Sequence, residues 1–321
     1  MDEKKIDKNF INEQFFLVSV VVMTYNSDKY VIQALDSIKK QTYKRLELIV
    51  TDDGSKDTTV SICESWLTQN SCCFENAELV TVNKNTGTTG NLNRGIKKSH
   101  GTWIKTIAGD DKLKENCISS FMEAVALNKG DFYLCDLDVF SDEDAVDKFY
   151  VDSYIHYFNC VKESTKEKKK RIIHEFKLPG PGWFFSRKLY DDVGGFDEKY
   201  KLMEEWPYVY KVLKKGYDII PLEKKLVDYR ISNTSVCHSY NQGLIPKQFF
   251  IDKKNFFYDT IKSELIKQGH VFEVWSKILE FFVYEKLYNN PKGLRRKLIL
   301  SLRLLDPIEG FKIIRRWFTK K

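Results

Sequence analysis

Leu17-Val18-Ser19-Val20-Val21-Val22, running on to Thr24-Tyr25-Asn26, is the stretch that decides the fold. A short apolar run so rich in β-branched residues reads as a strand buried on both faces, because a half-exposed strand would alternate polar and apolar positions. A helix is expected next. Val31, Ala34, Leu35 and Ile38 recur at three- and four-residue spacing between Asp28 and Lys40, with Asp28 placed as the N-cap. The pattern then repeats: strand Leu46 to Thr51, helix about Asp57 to Leu67, strand Glu78 to Val82, helix about Thr89 to Lys98, strand Thr102 to Ala108. A further helix about Glu115 to Leu127 and a strand near Phe132 to Cys135 close the regular part. Strands alternating with helices imply an α/β class with a mostly parallel sheet flanked by helices. Ligands of such sheets bind beyond the carboxyl ends of the strands, which here are Met23 to Asn26, Asp52 to Ser55 and Gly109 to Asp111.

The chain has 321 residues, 42 % hydrophobic and 14 % aromatic, enough to bury a large core. Seven cysteines at irregular spacing, among them the adjacent Cys72 and Cys73, form neither a zinc pattern nor an even disulfide framework, and read as reduced thiols of a cytosolic protein. The start, Met1-Asp2-Glu3-Lys4-Lys5, mixes acids with bases, and the first apolar run is short. Neither a signal peptide nor a membrane-spanning helix is expected from it. The net charge of +7 is uneven: residues 291–321 carry ten Lys or Arg against Asp306 and Glu309, so the rest of the chain is close to neutral. Because the excess is confined to one segment interleaved with Leu, Ile, Phe and Trp317, a surface contact is favoured over nucleic-acid binding. The charged run Glu163 to Arg171 reads as a solvated helix face or a mobile loop.

The strand ends narrow the chemistry. Nothing between Val18 and Asp53 is glycine, so the first turn is not a dinucleotide fingerprint, and no Walker loop is present. The first strand ends instead in an aromatic ring and polar groups, Thr24-Tyr25-Asn26, and the second in Asp52-Asp53-Gly54-Ser55. A carboxylate accepting the N3–H of a uracil beside a stacking ring makes a nucleoside pocket; alone, Asp-Asp-Gly-Ser is an ordinary turn and cap. Asp110-Asp111 follows the strand Trp103 to Ala108. Adjacent acids at a buried strand end repel each other unless a cation or donors compensate, and a hard divalent ion with diphosphate oxygens does so. An exposed turn is the bland reading of the same pair.

Taken together and in this order, these segments resemble family 2 glycosyltransferases of the GT-A fold. The resemblance covers residues 17–235 and includes Gln41-Thr42-Tyr43, Glu47-Leu48-Ile49-Val50, Asn83-Lys84-Asn85-Thr86-Gly87 and Asn93-Arg94-Gly95-Ile96. It implies nucleotide binding by Thr24, Tyr25, Asn26, Asp53, Gly87, Asn93 and Asp110, and a divalent metal, Mn2+ or Mg2+, on Asp111. Gly194-Gly195-Phe196-Asp197-Glu198 with Met203-Glu204-Glu205-Trp206 matches the segment that carries the family's catalytic base. That match makes Glu205 the base and Glu204 a supporting acid, in a chain that has Glu-Glu where Glu-Asp is usual. Pro207, Val209, Val212, Leu213 and Gly216 place both acids at a helix N-terminus. Ser232 stands where many relatives carry a histidine, and His238 follows shortly after, so a third metal ligand stays open. His100, His156, His174 and His270 show no ligand spacing.

The domain expectation is an extension at 1–16, a catalytic domain at 17–235 with a nucleotide-binding half (17–111) and an acceptor-side half (112–235), and a helical region at 236–321. The implied function is inverting transfer from a nucleoside-diphosphate sugar, a UDP-sugar first, to a saccharide or lipid-linked saccharide acceptor in surface-polysaccharide or lipopolysaccharide synthesis. A sugar nucleotidyltransferase and a catalytically silent carbohydrate-binding scaffold are the alternatives. Leu294, Leu298, Ile299, Leu302 and Leu305 recur at helical spacing among Arg295, Arg296, Lys297 and Arg303, a pattern suited either to peripheral contact with an anionic membrane or to core packing.

Overall fold

The computed structural model describes residues 16–128, 130–142, 161–174, 178–231, 246–288 and 293–306. The chain divides into two compact units, Met1–Ser232 and Asn233–Lys321. In the first unit, β1 (Val18–Thr24), β2 (Leu46–Asp52), β3 (Asn76–Thr81) and β4 (Trp103–Ala108) alternate with α1 (Val31–Lys39), α2 (Thr59–Asn70) and α3 (Thr88–Lys98). After β5 (Lys112–Leu113) come α4 (Cys117–Asn128), β6 (Phe132–Phe140), α5 (Thr165–Arg171), β7 (Trp183–Ser186), α6 (Arg187–Val193), α7 (Glu205–Lys215) and β8 (Ile220–Arg230). The eight strands form one sheet in the order β3-β2-β1-β4-β7-β6-β8-β5. β1 pairs in parallel with β2 and β4, β2 with β3, and β6 with β8. β7 runs antiparallel between β4 and β6, and β5 runs antiparallel to β8.

The apolar run of β1 is buried as its composition requires: Val18, Val20, Val21 and Val22 are all fully enclosed. Each contributes roughly 1.5–3 kcal/mol relative to an exposed side chain. α3 lies close over β1 and β2, because a Cβ on Gly95 would meet Val21 Cγ1 at 2.5 Å and Thr51 Cγ2 at 2.8 Å. Only glycine admits that approach, which brings the start of α3 to the strand ends.

Three local expectations are corrected. Asp28 is not the cap of α1: the helix starts at Val31 after Tyr30, with no side-chain cap, while Asp28 accepts from Thr58 Oγ1 at 3.1 Å. The strand after α4 extends to Phe140, beyond Cys135, because Asp136 marks an irregularity in its pairing with β8 and Asp138 lies outward against Lys114 and Lys225. The charged run at 163–171 forms helix α5 with a Ser164–Glu167 capping box, yet Lys168 is buried and pairs with Asp218 Oδ1 at 2.7 Å. Cys63, Cys72, Cys73, Cys117 and Cys135 are free thiols.

The second unit holds α8 (Lys247–Phe256), a π-helical turn (Phe257–Ile261), α9 (Lys262–Lys267), α10 (Val271–Tyr288) and α11 (Gly293–Ser301). Phe250, Phe257 and Phe281 form its aromatic centre, with ring centroids 5.3–5.9 Å apart. Among the described residues no helix is long and apolar enough to cross a membrane.

Candidate active site

The sheet register brings the strand ends together. Thr24 lies opposite Asp52, and Met23 lies opposite both Thr51 and Ala108, so Tyr25, Asp53 and Gly109 leave the sheet side by side. Thr24 is buried and donates its hydroxyl to Asp52 Oδ2 at 2.9 Å. Asp52 also accepts the N–H groups of Gly54 at 3.0 Å and Ser55 at 2.8 Å, which closes the turn after β2. Asn26 holds a left-handed conformation (φ 50°); its Oδ1 accepts the Lys56 N–H at 2.8 Å and its own N–H donates to Ser55 Oγ at 2.8 Å. Between these pinned neighbours Tyr25 stands 46 % exposed, an aromatic ring at the mouth of the site.

Asp53, expected to accept from a base, is held by donors of its own chain. Its carboxylate, 2 % exposed, takes the Thr86 N–H at 2.9 Å, the Thr86 hydroxyl at 2.6 Å, the Gly87 N–H at 2.8 Å and Arg94 Nη2 at 3.0 Å. Both oxygens are committed to the chain, so Asp53 braces the turn that opens α3. Gly87 sits in that turn at φ 89°, and a Cβ there would lie 2.6 Å from Lys201 O. That turn is therefore pressed against the segment leading to Glu204 and Glu205.

Asn93, also expected among the nucleotide-binding residues, is likewise engaged within the fold. Its Nδ2 donates to Phe196 O at 2.9 Å and Glu198 Oε1 at 2.8 Å, while its Oδ1 accepts from the Tyr190 hydroxyl at 2.7 Å and the Phe196 N–H at 3.0 Å. Every polar direction of the amide is used, and it ties α3 to the Gly194–Glu198 turn. Its partners lie about a hundred residues further along the chain, which no local pattern reveals.

After β4, Asp110 is partly buried and Asp111 is enclosed. Asp111 is 1 % exposed; its Oδ1 accepts the Arg230 N–H at 2.9 Å, and its Oδ2 is buried without a hydrogen-bond partner. Burial pushes both carboxyls above the ordinary range, and for Asp111 the neighbouring Asp110 charge adds to the effect. A pair of carboxyls so placed, one with an orphaned buried oxygen, suits a hard divalent cation.

Arg230, the last residue of β8, received no role from the sequence but organises this corner. Its guanidinium is fully buried, 4.1 Å from the Tyr30 ring centroid and 4.5 Å from that of Phe140. It donates to Asp110 O at 2.9 Å, to Gln33 Oε1 at 2.8 Å and to Asp142. A lone arginine at a strand end reads as solvated in a sequence, and nothing in the spacing signals its enclosure.

Glu204 precedes α7 and Glu205 begins it, both half-buried. Glu205 Oε1 accepts the Gly180 N–H at 2.8 Å. The Gly180–Gly182 turn leads into β7, whose Phe184 lies opposite Lys105 of β4. Because β7 runs against β4, that turn sits towards the carboxyl end of β4, so Glu205 faces the same edge as the acidic pair. Ser232 and His238 lie outside the described residues.

The glycosyl transferase family 2 profile matches residues 19–194, more than half of the chain. Glycosyltransferase GlyG of Streptococcus pneumoniae is 33 % identical over 136 residues, 42 % of this chain and 44 % of the relative. An uncharacterized glycosyltransferase of Rickettsia typhi is 30 % identical over 232 residues, covering 68 % of this chain and 67 % of its own. The match thus spans less than half the length of GlyG. Among solved structures, S. aureus TarS 1–349 in complex with UDP-GlcNAc superposes with TM-score 0.60 at 19 % identity, over 90 % of this chain and 81 % of that one. The mannosyltransferase PcManGT of Pyrobaculum calidifontis, in complex with GDP-Man and Mn2+, gives 0.55 at 15 % identity, over 97 % and 88 %. These neighbours share the sheet and its flanking helices, the GT-A fold. With the profile running from β1 to the turn after α6, the chain belongs to glycosyltransferase family 2.

Proposed function

We propose that this protein is an inverting glycosyltransferase that moves a sugar from a nucleoside-diphosphate donor, a UDP-sugar first, to a saccharide or lipid-linked saccharide acceptor in cell-surface polysaccharide synthesis. The observation that carries this reading is the orphaned, buried Oδ2 of Asp111 beside Asp110, on the sheet edge that Glu205 also faces. The exposed Tyr25 ring offers a stacking face for the base, while Thr24, Asn26, Asp53 and Gly87 hold the turns around it. Asp111 would hold a divalent metal, Mn2+ or Mg2+, with Asp110 beside it. When bound, such an ion supplies positive charge at the diphosphate leaving group.

Glu205, with Glu204 in support, takes the proton of the acceptor hydroxyl as that oxygen bonds to the anomeric carbon and the bond to the diphosphate breaks. Attack from the face opposite the leaving group inverts the centre, and one base suffices because no glycosyl-enzyme forms. The Gly180 N–H on Oε1 orients the carboxylate for this work. That TarS is solved with UDP-GlcNAc and PcManGT with GDP-Man and Mn2+ supports a nucleotide-sugar donor and a metal. We further propose that the protein works in the cytoplasm, at the inner face of the membrane, through its basic segment at 291–321.

Turnover of UDP-, GDP- and dTDP-sugars with Mn2+ tests the reading. Slow release of free sugar supports it. Release of pyrophosphate points instead to a nucleotidyltransferase, and no turnover with any donor to a carbohydrate-binding scaffold.

A further inference from the structure

Lys105 lies within β4, and its side chain is fully buried. An ammonium taken out of water is costly unless its three protons find acceptors. Here they do: Nζ donates to Thr106 O at 3.1 Å, to Trp183 O at 3.2 Å and to Pro181 O. Two of these carbonyls belong to the Gly180–Gly182 turn and the first residue of β7, so the charge fastens that turn to β4. The turn is held on another side as well, since a Cβ on Gly182 would lie 2.7 Å from Cys135 O of β6. Its leading residue, Gly180, is the one that donates to Glu205 Oε1. Burial draws the ammonium pKa down, and the nearby Cys117, Cys135 and Asp111 act against that.

A methionine of similar length would fill this space without the cost of desolvating a charge but would take a donor away from three carbonyls, so what the ammonium contributes is the fixing of the segments that carry them. We propose that Lys105 is a positioning residue: its buried ammonium fixes the Pro179–Gly182 turn and, through the Gly180 N–H, sets where the Glu205 carboxylate stands relative to Asp110 and Asp111. Lys105 touches neither substrate nor metal. It joins the strand that ends in the acidic pair to the turn that holds the base, so that the two sides of the cleft keep one spacing. This rests on the reading of Glu205 as the base.

The test uses the full chain with Lys105→Met, which keeps the stem and removes the charge. Amide hydrogen exchange is followed on peptides covering 178–186 and 203–208, with 46–52 as a remote control. The expected result is loss of protection at the first two and none at the third. With whichever UDP-, GDP- or dTDP-sugar the wild type turns over, kcat falls about ten- to a hundredfold while the donor KM stays within twofold, as for a misplaced catalytic group. Lys105→Gln, which keeps a donating amide, recovers part of both losses and is read in the same way if the methionine variant fails to fold.

Wild-type protection at 178–186 overturns the clamp. Lost protection with an unchanged kcat overturns its catalytic purpose. A Glu205→Gln variant run alongside separates the two layers: if it retains full turnover, the reading of Glu205 fails, while the exchange data still decide whether Lys105 holds the turn.

Discussion

The Arg230 N–H donates to Asp111 Oδ1 at 2.9 Å, which leaves Oδ2 as the one buried, unpartnered oxygen of that carboxylate. The arginine side chain meanwhile grips the Asp110 backbone carbonyl, so one residue holds the Asp111 carboxylate and the main chain beside it. Asp111→Asn keeps the shape and the Arg230 contact but supplies no anionic ligand for a hard cation. Calorimetry of UDP with and without Mn2+ should show metal-stimulated binding in the wild type and none in the variant. Equal metal dependence in both would remove Asp111 from the site.

Gly87 couples the turn that opens α3 to the segment before Glu204. Its φ of 89° strains any other residue, and a Cβ would press on Lys201 O at 2.6 Å. Gly87→Ala should destabilise the fold by about 1–3 kcal/mol, the usual cost of a strained backbone position. Donor KM should rise as the Asp53-braced turn shifts. Thermal unfolding and donor kinetics check the two effects separately.

At the opposite end of β2, Glu47 sets an acid limit on stability. Burial raises its pKa, but donors from Ser19 at 2.6 Å, the His100 N–H at 2.7 Å, the His100 ring and Asn76 outweigh that, and the carboxyl titrates below its ordinary value of 4.5. A depressed folded pKa contributes stability that is present above 4.5 and is lost as pH falls through the folded value. Glu47→Gln should lower stability at pH 7 by about 1–3 kcal/mol, the worth of charge-assisted hydrogen bonds. It should also flatten the fall below pH 4.5, as followed by urea unfolding between pH 3 and 7. A variant with the wild-type acid slope would assign that slope to other carboxylates.

Within the second unit, Asp306 is buried and accepts the Ser276 hydroxyl at 2.7 Å, and Leu305 O accepts from Trp275 Nε1 at 3.3 Å. The segment through Asp306 is thus packed on α10, and removing it differs from removing the bases beyond. A chain ending at Asp306 should unfold within a few degrees of the full chain and lose flotation with anionic liposomes. A chain ending near Asn290 should be destabilised. Retained liposome binding after the first cut would place the membrane contact elsewhere.

The nucleotide-side fold was legible because its signals are local: the buried run Val18–Val22 and the spacing of Val31, Leu35 and Ile38 need no knowledge of distant partners. The positions of the acidic pair at 110–111 and of the glutamates at 204–205, at a strand end and a helix start, were legible in the same way, while the roles given to them come from the family resemblance. What escaped was of another kind. β7 is only four residues long and β8 lacks a continuous apolar run, and Lys105 and Arg230 read in a sequence as solvated charges, although carbonyls and rings from distant segments enclose them. The bracing of distant turns by Asn93 and Asp53 likewise shows only in the fold.

Glu205 is the residue on which the proposed chemistry depends most. Its Oε1 takes the Gly180 N–H at 2.8 Å, and it begins α7, where the helix dipole favours a carboxylate. Glu205→Gln preserves size but cannot accept a proton, so turnover should fall about 10²- to 10⁴-fold. Donor affinity, measured by calorimetry with UDP and Mn2+, should stay nearly unchanged, because the base meets the acceptor and not the nucleotide. Glu205→Asp keeps the carboxylate on a shorter stem and should be less damaging than the amide. Its shortfall measures how closely the Gly180 turn has been fitted to the longer side chain. Glu204→Gln is the control. If Glu204→Gln loses turnover and Glu205→Gln keeps it, the base is Glu204 and the Gly180 hydrogen bond marks a structural glutamate.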